Sequence, residues 1–184
     1  MRVLDIGCGT GERGECAFPN AEVVGLDLVD GWDVTQDGLP SGWWDVLFCH
    51  HLVEHLVDVD RFLDMCADVM VPGHTRLIIG MPNLAAWFNR LTFLFGYLPH
   101  SMELSTRYQV GKPFGWNQEA LGGHVRVFTV PAFCQLLRHH GFEMVSVRGE
   151  ASTYPAGWLI GLIDRVATRW SPTMASAFTV EVKR

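Results

Sequence analysis

Residues 3–11 read Val3-Leu4-Asp5-Ile6-Gly7-Cys8-Gly9-Thr10-Gly11. An apolar strand carrying one acid, Asp5, runs straight into glycines at alternate positions. A second apolar run, Val23-Val24-Gly25-Leu26, ends on Asp27. A strand opening into a glycine turn, with a second strand ending in a carboxylate, is how an α/β sheet builds a nucleoside pocket. The glycines let the backbone approach the ligand, and the acid takes the ribose hydroxyls.

The same glycines also fit Gly9-x-Gly11-x-x-Gly14, the dinucleotide fingerprint. That match starts two residues late, so its first glycine would not make the turn off the strand. It also lacks a good helix behind it to point a dipole at a pyrophosphate. The offset favours a ligand without one. Residues 12–19 hold only Cys16, Ala17 and Phe18 as apolar residues before Pro19, which predicts a helix of about two turns at most.

Downstream, residues 22–28 read as strand two and 31–34 as a short extended piece. Residues 43–49 (WWDVLFC) and 75–81 (TRLIIGM) are near-continuous apolar runs of strand length, the signature of strands buried on both faces of a parallel sheet. Asp45 precedes the apolar part of its run and reads as structural. Residues 50–56 open a short helix, and 58–70 have a helical apolar period ended by Pro72-Gly73. Residues 83–96 read as helix, 125–129 as a short extended piece, 130–140 as a helix ended by Gly141, 142–147 as a strand and 175–182 as the last strand. Residues 156–170 read as an apolar helix, its stretch 156–163 packed internally against the sheet in preference to touching a membrane surface. The fold class is therefore α/β: Rossmann-like, doubly wound, mostly parallel with an antiparallel last strand, in a single domain over residues 1–184 with an insertion at about 84–123.

Apolar content of 48% and charged content of 18% suit a compact chain. The net charge of -6 argues against a nucleic-acid partner. No apolar stretch reaches the roughly 20 residues of an integral membrane segment, and Met1 runs into a strand with no secretory signal. Five scattered cysteines without a CxxC pair read as free thiols of a cytoplasmic protein.

VLDIGCGTG, VVGLDL, WWDVLFCHHLVEHL and LIIGMPN, in that order and at those intervals, resemble the class I S-adenosylmethionine-dependent methyltransferases. They resemble the subset that includes ubiquinone- and sugar-pathway methyltransferases, and GHVRVFT before a helix and a Gly141-Phe142 turn is similar to many small members. The resemblance implies S-adenosyl-L-methionine as cofactor and a small-molecule methyl acceptor. It implies that Asp5 and the backbone of Gly7, Cys8, Gly9 and Gly11 hold the methionine end. Asp27 would take the ribose hydroxyls, with Leu28 beside the adenine and Asp33 and Val34 at its edge. Cys49 and His50 would line the pocket near the sulfonium. Most members carry helices ahead of strand one; here a homo-oligomer or a partner is expected to cover the pocket.

In-line methyl transfer rests on positioning and exclusion of water. A base is needed only for a hydroxyl or ammonium acceptor, and a histidine suits that near neutral pH. His51 and His124 are the candidate catalytic residues, with Glu54 and Arg126 nearby. Residues 84–116, with Trp87, Phe88, Phe93, Phe95, Tyr97, Tyr108, Phe114 and Trp116, are the expected substrate wall or lid. His51-Leu52-Val53-Glu54-His55 also spells H-x-x-E-H, which on a helix sets two histidines on one face as zinc ligands. Directly after a buried strand in a nucleoside-binding pattern it reads instead as helix-stabilising, and no metal is expected.

Overall fold

The computed structural model describes residues 1–113, 123–151 and 157–184; Phe114, Trp116 and Ala156 lie outside the described residues. The strands are β1 (Arg2–Ile6), β2 (Glu22–Leu26), β3 (Val46–His50), β4 (Arg76–Pro82), β5 (Glu143–Glu150) and β6 (Ala177–Lys183). The helices are α1 (Glu12–Ala17), α2 (Val34–Asp37), α3 (Val59–Val69), α4 (Trp87–Leu94), α5 (Val130–His139) and α6 (Gly157–Trp170). The sheet order is β2-β1-β3-β4-β6-β5. The first four strands in that order are parallel, and β6 runs antiparallel to both its neighbours. This is the mostly parallel sheet with an antiparallel last strand that the sequence predicts.

Alternation along the strands sorts the side chains into two faces. Leu4, Ile6, Leu47, Cys49, Leu77 and Ile79 belong to the main core, with Phe62 and Leu63 of α3 and Phe133 and Leu137 of α5. Val3, Val46 and Phe48 form the second cluster, against which Phe18 packs, its ring edge-on to Phe48 at 5.3 Å. Parity alone then puts Asp5 and His50 on the face opposite Cys49.

Helix α1 is short, as Pro19 demands, and lies close on β1. A Cβ at Gly14 would overlap the Asp5 carboxylate, so this third glycine serves helix–strand contact. Gly14→Ala is expected to cost roughly 1–3 kcal/mol by overpacking a buried site, measured as a lower unfolding midpoint; an unchanged midpoint would contradict the close approach.

Four local expectations are corrected. Residues 31–34 are not one extended piece: Gly31 is left-handed and Val34 starts α2, whose N-cap is Asp33, its carboxylate accepting from Thr35 N at 2.8 Å, Thr35 Oγ1 at 2.7 Å and Gln36 Nε2 at 2.8 Å. Residues 50–56 hold only a 3₁₀ turn, Val53–His55, and α3 starts where Asp58 accepts from Arg61 N at 2.9 Å. β3 begins at Val46 because Asp45 accepts from Arg2 N at 2.6 Å and pairs with His74 at 2.8 Å, the structural role expected of it. α6 packs on β5 by one face but is not enclosed: Trp158 and Trp170 are 80% and 82% exposed.

Candidate active site

The carboxyl ends of β1, β2 and β3 meet at one cleft, the place where parallel sheets bind ligands. Gly7, Gly9 and Gly11 take φ of +74°, +56° and +81°, backbone that residues with a Cβ rarely adopt. Gly7 N donates to Leu26 O at 2.8 Å and Gly11 N to Cys8 O at 2.9 Å, closing the turn. A Cβ at Gly9 or Gly11 would meet nothing within 4 Å, so the turn faces open space. Asp27 Oδ2 accepts from Gly9 N at 2.8 Å and Oδ1 from Val29 N at 3.0 Å. The acid that ends β2 thus fixes the turn that ends β1.

Asp5 is 2% exposed and its Oδ2 has no hydrogen-bond partner. Burial pushes its carboxyl up to about 6, against the Gly14 N–H and the Arg13 charge, which favour the ionised form. Asp5, Gly7, Cys8, Gly9, Asp27 and His50 all line the cleft. So do Arg13 and His51. Arg13 donates to His50 Nδ1. His50 Nε2 lies 3.5 Å from Glu150 Oε2 on β5. That contact, with a hydrogen bond from the Thr179 hydroxyl, holds the Glu150 carboxyl down at about 2 despite its burial.

Other expected residues fall outside the lining. Cys49 is fully buried in the main core, where its parity on β3 sends it. Val34 is buried in the same core. Asp33 has its oxygens taken up by the α2 cap. Gly11 is the N-cap of α1, and Leu28 is exposed beside Asp27.

A second pocket adjoins the first, and His51 and Arg13 line both. His51 has φ of +58°, unusual for a residue with a side chain. Its N–H donates to Gly80 O at 2.9 Å, and its Nδ1 lies 2.9 Å from Glu54 Oε1. An ionised carboxylate only accepts, so Nδ1 carries a hydrogen, and in the neutral ring Nε2 keeps the lone pair. His124 Nδ1 lies 3.1 Å from the Ser101 carbonyl, and the same argument leaves its Nε2 as the acceptor. Glu54 O accepts from Val125 N at 2.9 Å and Arg126 N at 3.0 Å, which brings the 123–126 stretch over the pocket. The Arg126 side chain turns away to Val57 O.

Without an α-helix, His51 and His55 do not share a helical face. Instead ligand atoms of Glu54, His55 and His124 lie within 4.8 Å of one another, and Glu54 Oε2 is buried with no hydrogen-bond partner.

The family model of the methyltransferase domain matches residues 1–147. This chain belongs to that family. The methyltransferase chain is 30% identical over 139 residues to the ubiquinone biosynthesis O-methyltransferase of Mesorhizobium japonicum, covering 56% of each. It is 35% identical over 94 residues to the protein of that name from Rhizobium johnstonii, covering 40% of this chain and 38% of that one. The chain thus spans about half the length, or less, of the curated relatives it matches. An S-adenosylmethionine-dependent methyltransferase from Mesorhizobium loti has the same fold, at 16% identity and a TM-score of 0.60 over 100% of this chain and 90% of that one. Family and fold together make this a class I methyltransferase domain with a Rossmann-like sheet. Among its described residues, no helix is long and apolar enough to cross a membrane.

Three residues of this candidate site escape motif reading. Arg13 follows the glycine turn but carries no signature of its own. Glu150 reaches His50 from a strand a hundred residues on in sequence. Gly80, lying where a Cβ would overlap the His50 ring, clears space for that histidine. Only a strand-interior glycine beside a polar strand end could have hinted at it.

Proposed function

We propose that this domain binds S-adenosyl-L-methionine in the glycine-turn cleft and transfers its methyl group in line to a small-molecule acceptor in the adjoining pocket. The observation that carries the reading is Asp5: a buried carboxylate oxygen without a partner, beside a left-handed glycine turn open to the same cleft. Such an oxygen is costly unless a donor meets it, and the cofactor's ammonium group is a donor of the right charge. The backbone from Gly7 to Gly11 takes the carboxylate end, Asp27 the ribose hydroxyls, and Leu28 flanks the adenine. When bound, the cofactor supplies an electrophilic methyl group. His51, common to both pockets, accepts the proton of an acceptor hydroxyl at Nε2, while Glu54 fixes its tautomer and balances the charge that forms. His124 orients the acceptor from the far wall. The free thiols of Cys8 and Cys16 suit work in the cytoplasm.

Titration calorimetry tests this with S-adenosylhomocysteine and NAD as probes. Binding of the first and not of the second is expected; preference for NAD would overturn the reading. Asp27→Ala is expected to weaken S-adenosylhomocysteine by about 1–3 kcal/mol, through lost ribose bonds and a loosened Gly9 turn. An unchanged dissociation constant would remove Asp27 from the site.

A second reading rests on the orphan oxygen of Glu54. With His55 and His124 it offers a divalent ion three ligands at the acceptor end, where the ion would favour an ionised hydroxyl. Cobalt(II) titration followed by its visible absorption decides it: a tightly bound equivalent, lost in Glu54→Gln, supports the ion, and no spectral change excludes it.

A further inference from the structure

Helix α6 turns an apolar stripe outward. Among its described residues, the buried ones are Asp164 and Ala167. Asp164 is tied inward, accepting from Trp87 Nε1 at 2.9 Å and the Ser176 hydroxyl at 2.7 Å. Trp158, Leu162, Val166 and Trp170 recur every four residues and are all exposed, with Ile163 beside them. A helix on the surface of a water-soluble domain shows the opposite arrangement. The Trp87–Asp164 bond makes α4 its neighbour, and α4 with its C-cap exposes Leu91, Phe93, Leu94 and Phe95. Large apolar side chains this exposed mark an interaction site.

The charges on the same helices identify the partner. Arg165 and Arg169 fall on the exposed side of α6, and Arg90 is exposed on α4. Neither helix exposes an acid, although the whole chain carries -6. Tryptophans at both ends of an apolar stripe, with arginines among them, match the boundary of a phospholipid bilayer. There the indoles sit at headgroup level and the arginines reach up to phosphates. A second copy fits less well, since a two-fold interface on this face would bury the same arginines against their own equivalents.

We propose that the exposed faces of α4 and α6 dock this domain onto an anionic bilayer surface, lying in the interface without crossing it. α4 also carries Phe88 and Asn89 of the acceptor pocket, so the docked helix adjoins the site. The inference stands on exposure and charge alone and holds whether or not the cleft binds the cofactor.

Co-sedimentation of the full chain tests it, with vesicles of phosphatidylcholine and phosphatidylglycerol in equal parts against pure phosphatidylcholine. The chain is expected to pellet with the anionic vesicles, less so as salt screens the attraction, and to stay largely in solution with the neutral ones. Arg165→Glu with Arg169→Glu should weaken binding roughly tenfold or more. Trp158→Ser with Val166→Ser should abolish it while leaving the unfolding midpoint unchanged, since both side chains are exposed. A chain that stays in the supernatant with both vesicle types overturns the proposal. So does equal binding to both, or a stable dimer in sedimentation equilibrium that the Trp158→Ser, Val166→Ser variant dissolves.

Discussion

His51→Asn is expected to lower turnover by on the order of 100- to 10,000-fold, the range for removing a positioned general base. Asparagine is the informative substitute because it tolerates the left-handed backbone, φ +58°, that His51 occupies. The turn after β3 therefore persists, and the loss reports chemistry and not a collapsed loop. The assay follows transfer of the radiolabelled methyl group of S-adenosylmethionine to a hydroxyl acceptor. The fall should lie in kcat with KM little changed, as for a group that acts in the transition state. Glu54→Gln should give a smaller fall of the same kind, because an amide oxygen still accepts from Nδ1 but balances no charge. Turnover retained by His51→Asn would transfer the role to His124 or leave the acceptor to lose its proton unaided.

Asp5→Asn is expected to do two opposite things. Burial raises the Asp5 carboxyl from 3.8 to about 6, so the folded chain favours the neutral form more than the unfolded chain does. The destabilisation is absent below the lower value, grows between the two, and is complete above about pH 6. Asparagine, never ionised, removes it, so the variant should be more stable above that pH by up to about 3 kcal/mol. Cofactor affinity should move the other way. An ammonium group pairs with the ionised carboxylate, so the wild-type affinity should fall as pH drops below about 6, approaching tenfold per pH unit. The variant should bind at least roughly tenfold more weakly at neutral pH and show no such slope. Calorimetry at several pH values with S-adenosylhomocysteine reads both. A pH-independent wild type, or a variant that binds normally, would take Asp5 out of contact with the ligand.

Most of the sheet was legible in the sequence because it rests on local signals: apolar runs of strand length, and glycine turns between them. The candidate cleft was legible where the signal was also local. Asp5, Gly7, Cys8, Gly9 and Asp27 sit on or beside a strand end, and the structure brings all of them to one cleft. Cys49 illustrates the limit. Its place at a strand end was readable, but a run that is apolar on both faces does not say which face meets the cleft; Cys49 shares its parity with Leu47 and joins the main core. Asp33 and the H-x-x-E-H stretch failed for a different reason. Each depended on whether a short segment was extended, 3₁₀ or helical, and capping by Asp33 and Asp58 decided that. Glu150 and Arg13 were invisible because their contacts with His50 join distant strands and helices. The outward apolar face of α6 was misjudged because periodicity gives a stripe and not the direction in which it points. Asp164, pinned by Trp87 and Ser176, sets that direction.

The most direct measurement is a crystal structure of the chain soaked with S-adenosylhomocysteine. The account predicts the amino group within hydrogen-bond reach of Asp5 Oδ2, the ribose hydroxyls on Asp27, and the sulfur facing His51. An empty cleft, or the ligand seated anywhere else, would contradict it.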